Sequence, residues 1–151
     1  MNLNDQIPQE YIESADKAGA CGEALDWLRE APRTWRQLKE ERPDWLLFGC
    51  KINIPYPSRW IDECAEGDSI VALNYAAECL SPERLDRCAM ESPWAALRFA
   101  ARHLTPERLD WCAERCPWAA LVYAAKLLTP KCLDRCAEKD PSTALVYVPD
   151  F

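Results

Sequence analysis

Glycine and histidine are both scarce in this chain, and each shortage excludes a class of site. The 151 residues include 4 glycines, too few for the glycine-rich loops that wrap phosphate groups. The single histidine, His103, excludes any site that needs two imidazole ligands. No window approaches the roughly 20 consecutive apolar residues of a membrane-spanning helix, so we expect no membrane segment.

Basic residues are also fewer than acidic ones, 18 against 25, which gives a formal net charge of −7. Proteins that bind nucleic acid need a basic surface, so we do not expect direct nucleic-acid binding. The first residues, MNLNDQ, are neither basic nor apolar and do not read as a signal peptide. We therefore expect a cytoplasmic protein whose 9 cysteines are free thiols.

The C-terminal part of the sequence repeats every 24 residues. SPERLDRCA at 81–89 aligns with TPERLDWCA at 105–113 and TPKCLDRCA at 129–137, and PWAAL occurs at both 93–97 and 117–121. This predicts four repeats, at 57–80, 81–104, 105–128 and a truncated 129–151. Residues 1–56 show no clear repeat, and we expect them to form an N-terminal helical cap. The cap and the repeats together are expected to form one compact domain.

Each repeat contains two signals that start a helix. Ser81, Thr105 and Thr129 are good N-caps, and a proline follows each of them at the first helical position. A second proline follows half a repeat later, after Ser92, Cys116 and Asp140. The pattern predicts two short helices per repeat. Helices this short are unstable alone and must stack on their neighbours, which indicates an all-α solenoid.

Small and aliphatic residues recur on one side of both predicted helices, which predicts the core. In the 81–104 repeat these residues are Leu85, Cys88, Ala89, Ala96, Leu97 and Ala100, and the next repeat has the same types at the same positions. Their spacing is that of an amphipathic helix. The alanines predict that neighbouring helices approach closely.

The pattern Thr-Pro-Glu-x-Leu-Asp-x-Cys-Ala-Glu-x-x-Pro, followed by Ala-Leu-x-x-Ala-Ala, resembles the leucine-rich repeat variant family over residues 57–148. The resemblance implies short 3₁₀ and α helices that alternate in a right-handed superhelix, and it implies no single activity. The founding members of that family carry a four-cysteine iron–sulfur segment at the N-terminus. Residues 1–56 hold only Cys21 and Cys50, so no cluster and no other cofactor is implied here.

The cysteines are expected in the core rather than at a metal. Cys64, Cys88, Cys112 and Cys136 share one repeat position, where the family more usually has leucine. Helices that pack at about 9–10 Å would hold them too far apart for one tetrahedral site. The helical pairs Cys112/Cys116 and Cys132/Cys136 lack the further ligands that zinc needs. Cys116 and Cys132 lie nearest the repeat edges and are the candidate reactive thiols.

The candidate binding residues are tryptophans and charged residues outside the predicted core. The alternatives for the tryptophans are burial between repeats and a partly exposed aromatic ladder, and tryptophan is enriched where proteins bind one another. The candidates for partner binding are Trp60, Trp94, Trp111, Trp118, Glu83, Arg84, Arg87, Glu107 and Arg108.

The absence of a catalytic motif favours a non-enzymatic module that binds another protein. The alternative is a small acidic inhibitor of the phage type, anti-CRISPR-like, or a nucleic-acid mimic that blocks a host defence protein. The last repeat stops at Phe151 without a capping helix. We consider three ways of covering that end: Phe151 as a lid, a homodimer that meets end to end, or a different partner.

Overall fold

A computed structural model describes residues 1–148, in which the regular secondary structure is helical. No β-strand occurs in this part of the chain, where one isolated antiparallel bridge joins Gln6 to Thr34. This confirms the predicted all-α class. The chain divides into two compact units, residues 1–80 and a second unit that begins at Ser81. The predicted boundary at residue 56 therefore lies inside the first unit.

The first unit contains six helices. They are α1 (Gln9–Lys17), α2 (Gly22–Glu30), α3 (Trp35–Glu41), α4 (Pro43–Lys51), α5 (Ser58–Cys64) and α6 (Ser69–Ala76). Local sequence starts several of them: Thr34 and Gln37 form a capping box before α3, and the Asp68 carboxylate accepts hydrogen bonds from two backbone amides of α6.

Helix α4 lies at the centre of this unit and contacts α3, α5 and α6. A line of aromatic rings packs beside it. Trp35 meets Tyr11 and Tyr56 edge to face, with centroids 5.2 and 5.5 Å apart. The Tyr11 hydroxyl donates a hydrogen bond to the carbonyl oxygen of Trp45, 3.3 Å away. These contacts fix the large side chains of the core in one arrangement.

The second unit is built from the predicted helix pairs. Its helices are α7 (Pro82–Glu91), α8 (Pro93–Ala95), α9 (Pro106–Arg115), α10 (Pro117–Ala119), α11 (Pro130–Lys139) and α12 (Pro141–Tyr147). All six begin at the predicted prolines. The side-chain oxygens of Ser81, Thr105 and Thr129 each accept a hydrogen bond from the backbone amide three residues on, at 3.3 Å. The predicted N-caps are therefore confirmed.

The second helix of a repeat is less regular than the sequence predicts. Helix α8 continues into a π-helical turn at Ala96–Ala100 and a 3₁₀ turn at Ala101–His103. Helix α10 continues in the same way, through Ala120–Ala124 and Ala125–Leu127. A π turn in a short helix is rare and often occurs at a functional site.

The predicted core positions are buried in both complete repeats of this unit. They are Leu85, Cys88, Ala89, Ala96, Leu97 and Ala100, and, 24 residues later, Leu109, Cys112, Ala113, Ala120, Leu121 and Ala124. Helix α9 contacts α7 and α11, and the 120–124 turn contacts the 96–100 turn and α12. Equivalent elements of successive repeats therefore pack on one another within this unit.

In residues 1–148, no helix combines the length and apolar character needed to cross a bilayer.

Candidate functional site

An aromatic and basic ladder runs along the second helices of the second unit. The Trp94 and Phe99 rings lie 6.3 Å apart, and Trp118 and Tyr123, 24 residues later, lie 6.2 Å apart. The Arg98 guanidinium lies 5.0 Å from the centroid of Phe99 and 5.4 Å from that of Tyr123. Arg98 therefore joins the two aromatic pairs by cation–π contacts.

Two depressions lie beside this ladder. The larger has a volume of about 580 Å³ and is lined by residues that include Arg102, Tyr123, Lys126, Leu127, Leu133 and Tyr147. The smaller, about 300 Å³, is lined by residues that include Arg98, Phe99 and His103. Both share Arg102, Tyr123 and Leu127. We call the two together the groove.

The groove exposes large apolar side chains. Tyr123, Leu127 and Tyr147 are 41%, 45% and 55% exposed, and the neighbouring Trp118 is 45% exposed. Single apolar side chains on a surface are ordinary, whereas apolar side chains grouped in one depression are a candidate binding surface. The groove is therefore the strongest candidate for contact with a partner.

The charge of the groove is positive although the chain is acidic. Its ionisable lining residues include Arg98, Arg102, His103 and Lys126, and no aspartate or glutamate of residues 1–148 lines either depression. Within residues 1–148, Arg102 and Lys126 form no ion pair. Other cations of the same unit do: Arg135 pairs with Glu114 at 2.8 Å. Unpaired cations beside apolar side chains can attract an acidic group.

The four candidate tryptophans occupy different environments. Trp118 is exposed, whereas Trp94 and Trp111 are half-buried. The guanidinium carbon of Arg115 lies 3.7 Å from the Trp111 centroid and that of Arg108 lies 4.9 Å away, so its faces are largely occupied. Trp60 is only 8% exposed and belongs to the core of the first unit. Of the two alternatives for the tryptophans, Trp60 therefore fits burial, and the structure removes it from the candidates for partner binding.

The charged candidates all lie on first helices, away from the groove lining. Glu83, Arg87 and Glu107 are exposed, and Arg84 is half-buried. Arg108 forms a two-point ion pair with Asp86, with one bond of 2.7 Å between Nη2 and Oδ2. Arg108 thus connects two successive repeats, and its guanidinium is already engaged.

Aspartates at the equivalent position of two repeats also connect repeats. Asp86 accepts from Arg108, and Asp110 accepts from the Thr129 hydroxyl at 3.0 Å. Among the described residues, no group of three or more histidine, cysteine or acidic side chains is placed to hold a metal ion.

Burial raises the pKa of cysteine thiols in the second unit. Cys132 is fully buried, and burial raises its pKa to about 12. This conflicts with the prediction that Cys132 is a reactive thiol, because the thiolate is the nucleophile. Cys116 is half-buried, and burial raises its pKa as well. Cys21, just before α2, is the exposed cysteine that the sequence reasoning missed.

Ellman's reagent at neutral pH is expected to modify Cys21 faster than the other cysteines, because its side chain is exposed. The fast phase should disappear in Cys21→Ser and persist in the matched control Cys116→Ser. The release of thionitrobenzoate, followed by stopped flow, measures both. A fast phase that instead disappears in Cys116→Ser would reinstate Cys116 as the reactive thiol.

The groove residues were not singled out from the sequence, but two signals mark them. Phe99, Tyr123 and Tyr147 are aromatic at the same position of three repeats, and Arg102 and Lys126 are basic at the same position of two. The predicted core used only the repeat positions with small and aliphatic residues, and these aromatic and basic positions lie outside it.

The chain matches no known protein family, no curated protein and no solved structure.

Proposed function

We propose that this protein is a non-enzymatic interaction module that binds another protein through the groove. The observation that carries the proposal is the exposed group Trp118, Tyr123, Leu127 and Tyr147 beside unpaired basic side chains. Burial of exposed apolar surface drives most protein association, and aromatic side chains dominate the energy of such interfaces.

A binding role is favoured over catalysis by the side chains that line the groove. Those of residues 1–148 include one imidazole, His103, but no carboxylate and no thiol that could act beside it as a base or nucleophile. The acidic mimic is less well supported, since a mimic needs an uninterrupted acidic surface. Two acids on first helices, Asp86 and Glu114, are instead paired with arginines.

The proposed architecture is a right-handed solenoid of the leucine-rich repeat variant type, with residues 1–56 as its cap. Support comes from equivalent residues that are buried 24 positions apart and from contacts between equivalent helices of successive repeats. A cytoplasmic location belongs to the same proposal, since the described cysteines are free and most are buried, as expected for a reducing compartment.

Replacing Tyr123 with serine is expected to weaken capture of the partner about tenfold or more, as for a central interface aromatic. The measurement uses the immobilised full chain in an extract of the organism that encodes it, with bound proteins quantified by mass spectrometry. The matched control is Met90→Ser, since Met90 is 49% exposed on α7 and lies outside the groove. Circular dichroism confirms that both variants are folded.

The two variants also define what would contradict the proposal. A protein captured equally by wild type and Tyr123→Ser, but lost from Met90→Ser, would place the interface on the first helices. Failure of the wild-type chain to capture any protein above the level of a blank matrix would count against an interaction module altogether.

A further inference from the structure

We propose that the groove binds a short acidic peptide segment of the partner that carries an apolar anchor residue. This inference rests on the proposed function and adds the chemistry of the ligand. Two features of the groove support it: the shape of its apolar part and the placement of its cations.

The apolar part of the groove can hold one or two side chains of a peptide. Tyr123, Leu127, Leu133 and Tyr147 line the larger depression, and its volume is about 580 Å³. That volume falls within the roughly 300–1,000 Å³ of small-ligand pockets. An aliphatic or aromatic side chain placed there would cover rings that are otherwise in contact with water.

The cations line the same depression as that anchor position and can pair with carboxylates of the peptide. Arg102 lines both depressions, and Lys126, at the equivalent position of the next repeat, lines the larger one. Both side chains are exposed and form no ion pair in the described part of the chain. No carboxylate among residues 1–148 lines the groove, so none of these residues competes with an acidic peptide for Arg102 and Lys126.

A nucleic acid would also bring negative charge, but the rest of the chain disfavours it. A strand longer than the groove would extend over a protein whose formal net charge is −7. The neighbouring first helices carry exposed acids such as Glu83 and Glu107. A short peptide can keep its acidic groups beside Arg102 and Lys126. A long nucleic acid would also bring phosphates close to the acidic residues around the groove.

Selection from a phage-displayed library of random linear peptides tests the inference on the immobilised full chain. Wild type is expected to enrich peptides with aspartate or glutamate flanking leucine, isoleucine or phenylalanine. The double variant Arg102→Glu/Lys126→Glu should lose these peptides and enrich basic ones instead. The control Arg87→Glu/Lys131→Glu makes the same change of charge at exposed positions of α7 and α11 and should select the same peptides as wild type.

Affinity measurements then give the size of the effect. The most enriched peptide, synthesised with a fluorescent label, is expected to bind the Arg102→Glu/Lys126→Glu variant about tenfold or more weakly by anisotropy, since about 1.4 kcal/mol corresponds to a factor of ten. Its binding to the Arg87→Glu/Lys131→Glu control should change much less. Raising the salt concentration should weaken binding to wild type, because exposed charges are screened.

Other outcomes would overturn the inference. Enriched peptides without acids, or acidic peptides that bind the groove variant unchanged, would leave a binding module with a different ligand. No enrichment from the library would also overturn it, while capture of a protein that is lost in Tyr123→Ser would keep the proposed function. Binding of labelled oligothymidine in place of peptides would assign the groove to nucleic acid. Self-association lost in the groove variant, measured by light scattering, would assign it to a second copy of this chain.

Discussion

Alanine at Leu121 is expected to lower the free energy of unfolding by about 2–5 kcal/mol, the cost of truncating a well-packed leucine. Leu121 is 1% exposed and lies in the 120–124 turn. This turn contacts the equivalent 96–100 turn of the preceding repeat, α11 and α12. Its removal would leave a cavity between elements that are themselves too short to be stable alone. Chemical denaturation followed by circular dichroism measures the change.

The repeat supplies a control at the equivalent position. Leu145 follows Leu121 by 24 residues but is 76% exposed, so Leu145→Ala should change stability by less than about 0.5 kcal/mol. The two variants remove the same atoms from the same position of successive repeats, and only the burial differs. Equal losses in both would mean that Leu145 is covered in solution, by another part of the chain or by a second molecule.

The exposure of Leu145 agrees with the expectation that the last repeat leaves apolar positions uncovered. Val146 is also exposed, and Leu133 is half-buried. Phe151, which was considered as a lid over this end, lies outside the described residues. The homodimer through this end stays a prediction.

Helix starts could be predicted because their signals are local. A serine or threonine that caps a helix needs only a backbone amide three residues ahead, and proline at the first helical position needs no partner at all. Thr105 and Pro106 therefore define the start of α9 whatever packs around it. The 24-residue periodicity identified the core columns for a similar reason, since burial recurs with the repeat.

The predictions for Trp60 and Cys132 relied on residue type, whereas their position in the repeat favours burial. Trp60 and Cys132 occupy equivalent positions, each four residues before a buried cysteine of the core column, and both are buried. Arg108 stands at the same position and is only half-buried. Residues four apart share one face of a helix, so helical geometry favoured burial at this position although tryptophan suggested a binding surface.

The groove could not be predicted in the same way because it depends on side chains from different repeats. Arg98 lies between Phe99 of its own repeat and Tyr123 of the next. Tyr147 and Arg102 line the same depression from positions 45 residues apart in the sequence. Arg98, Phe99 and Tyr123 also lie in π turns, which the sequence did not predict. Such a surface becomes visible only when the packing of neighbouring repeats is known.

Alanine at Gly49 is expected to lower the free energy of unfolding by about 1–3 kcal/mol, which is the usual cost of overpacking a core. Gly49 lies inside α4, where a methyl group would ordinarily stabilise the helix by up to about 1 kcal/mol. Here the added Cβ would lie 2.7 Å from Cε2 and 2.8 Å from Cζ of Tyr56, and closer still to its hydroxyl oxygen. The Tyr56 ring has little room to move, because it is buried against Trp35.

The matched control for Gly49→Ala is Gly22→Ala, at the first position of α2, where a Cβ would meet no heavy atom within 4 Å. That variant should leave stability unchanged or raise it, since alanine favours the helix more than glycine does. Opposite signs for the two variants in thermal or urea unfolding would show that the Tyr56 ring decides the result. Adding Tyr56→Phe to Gly49→Ala should recover part of the loss, because the closest atom is removed while the ring carbons remain. Stabilisation by Gly49→Ala would contradict the packing of Tyr56 against α4.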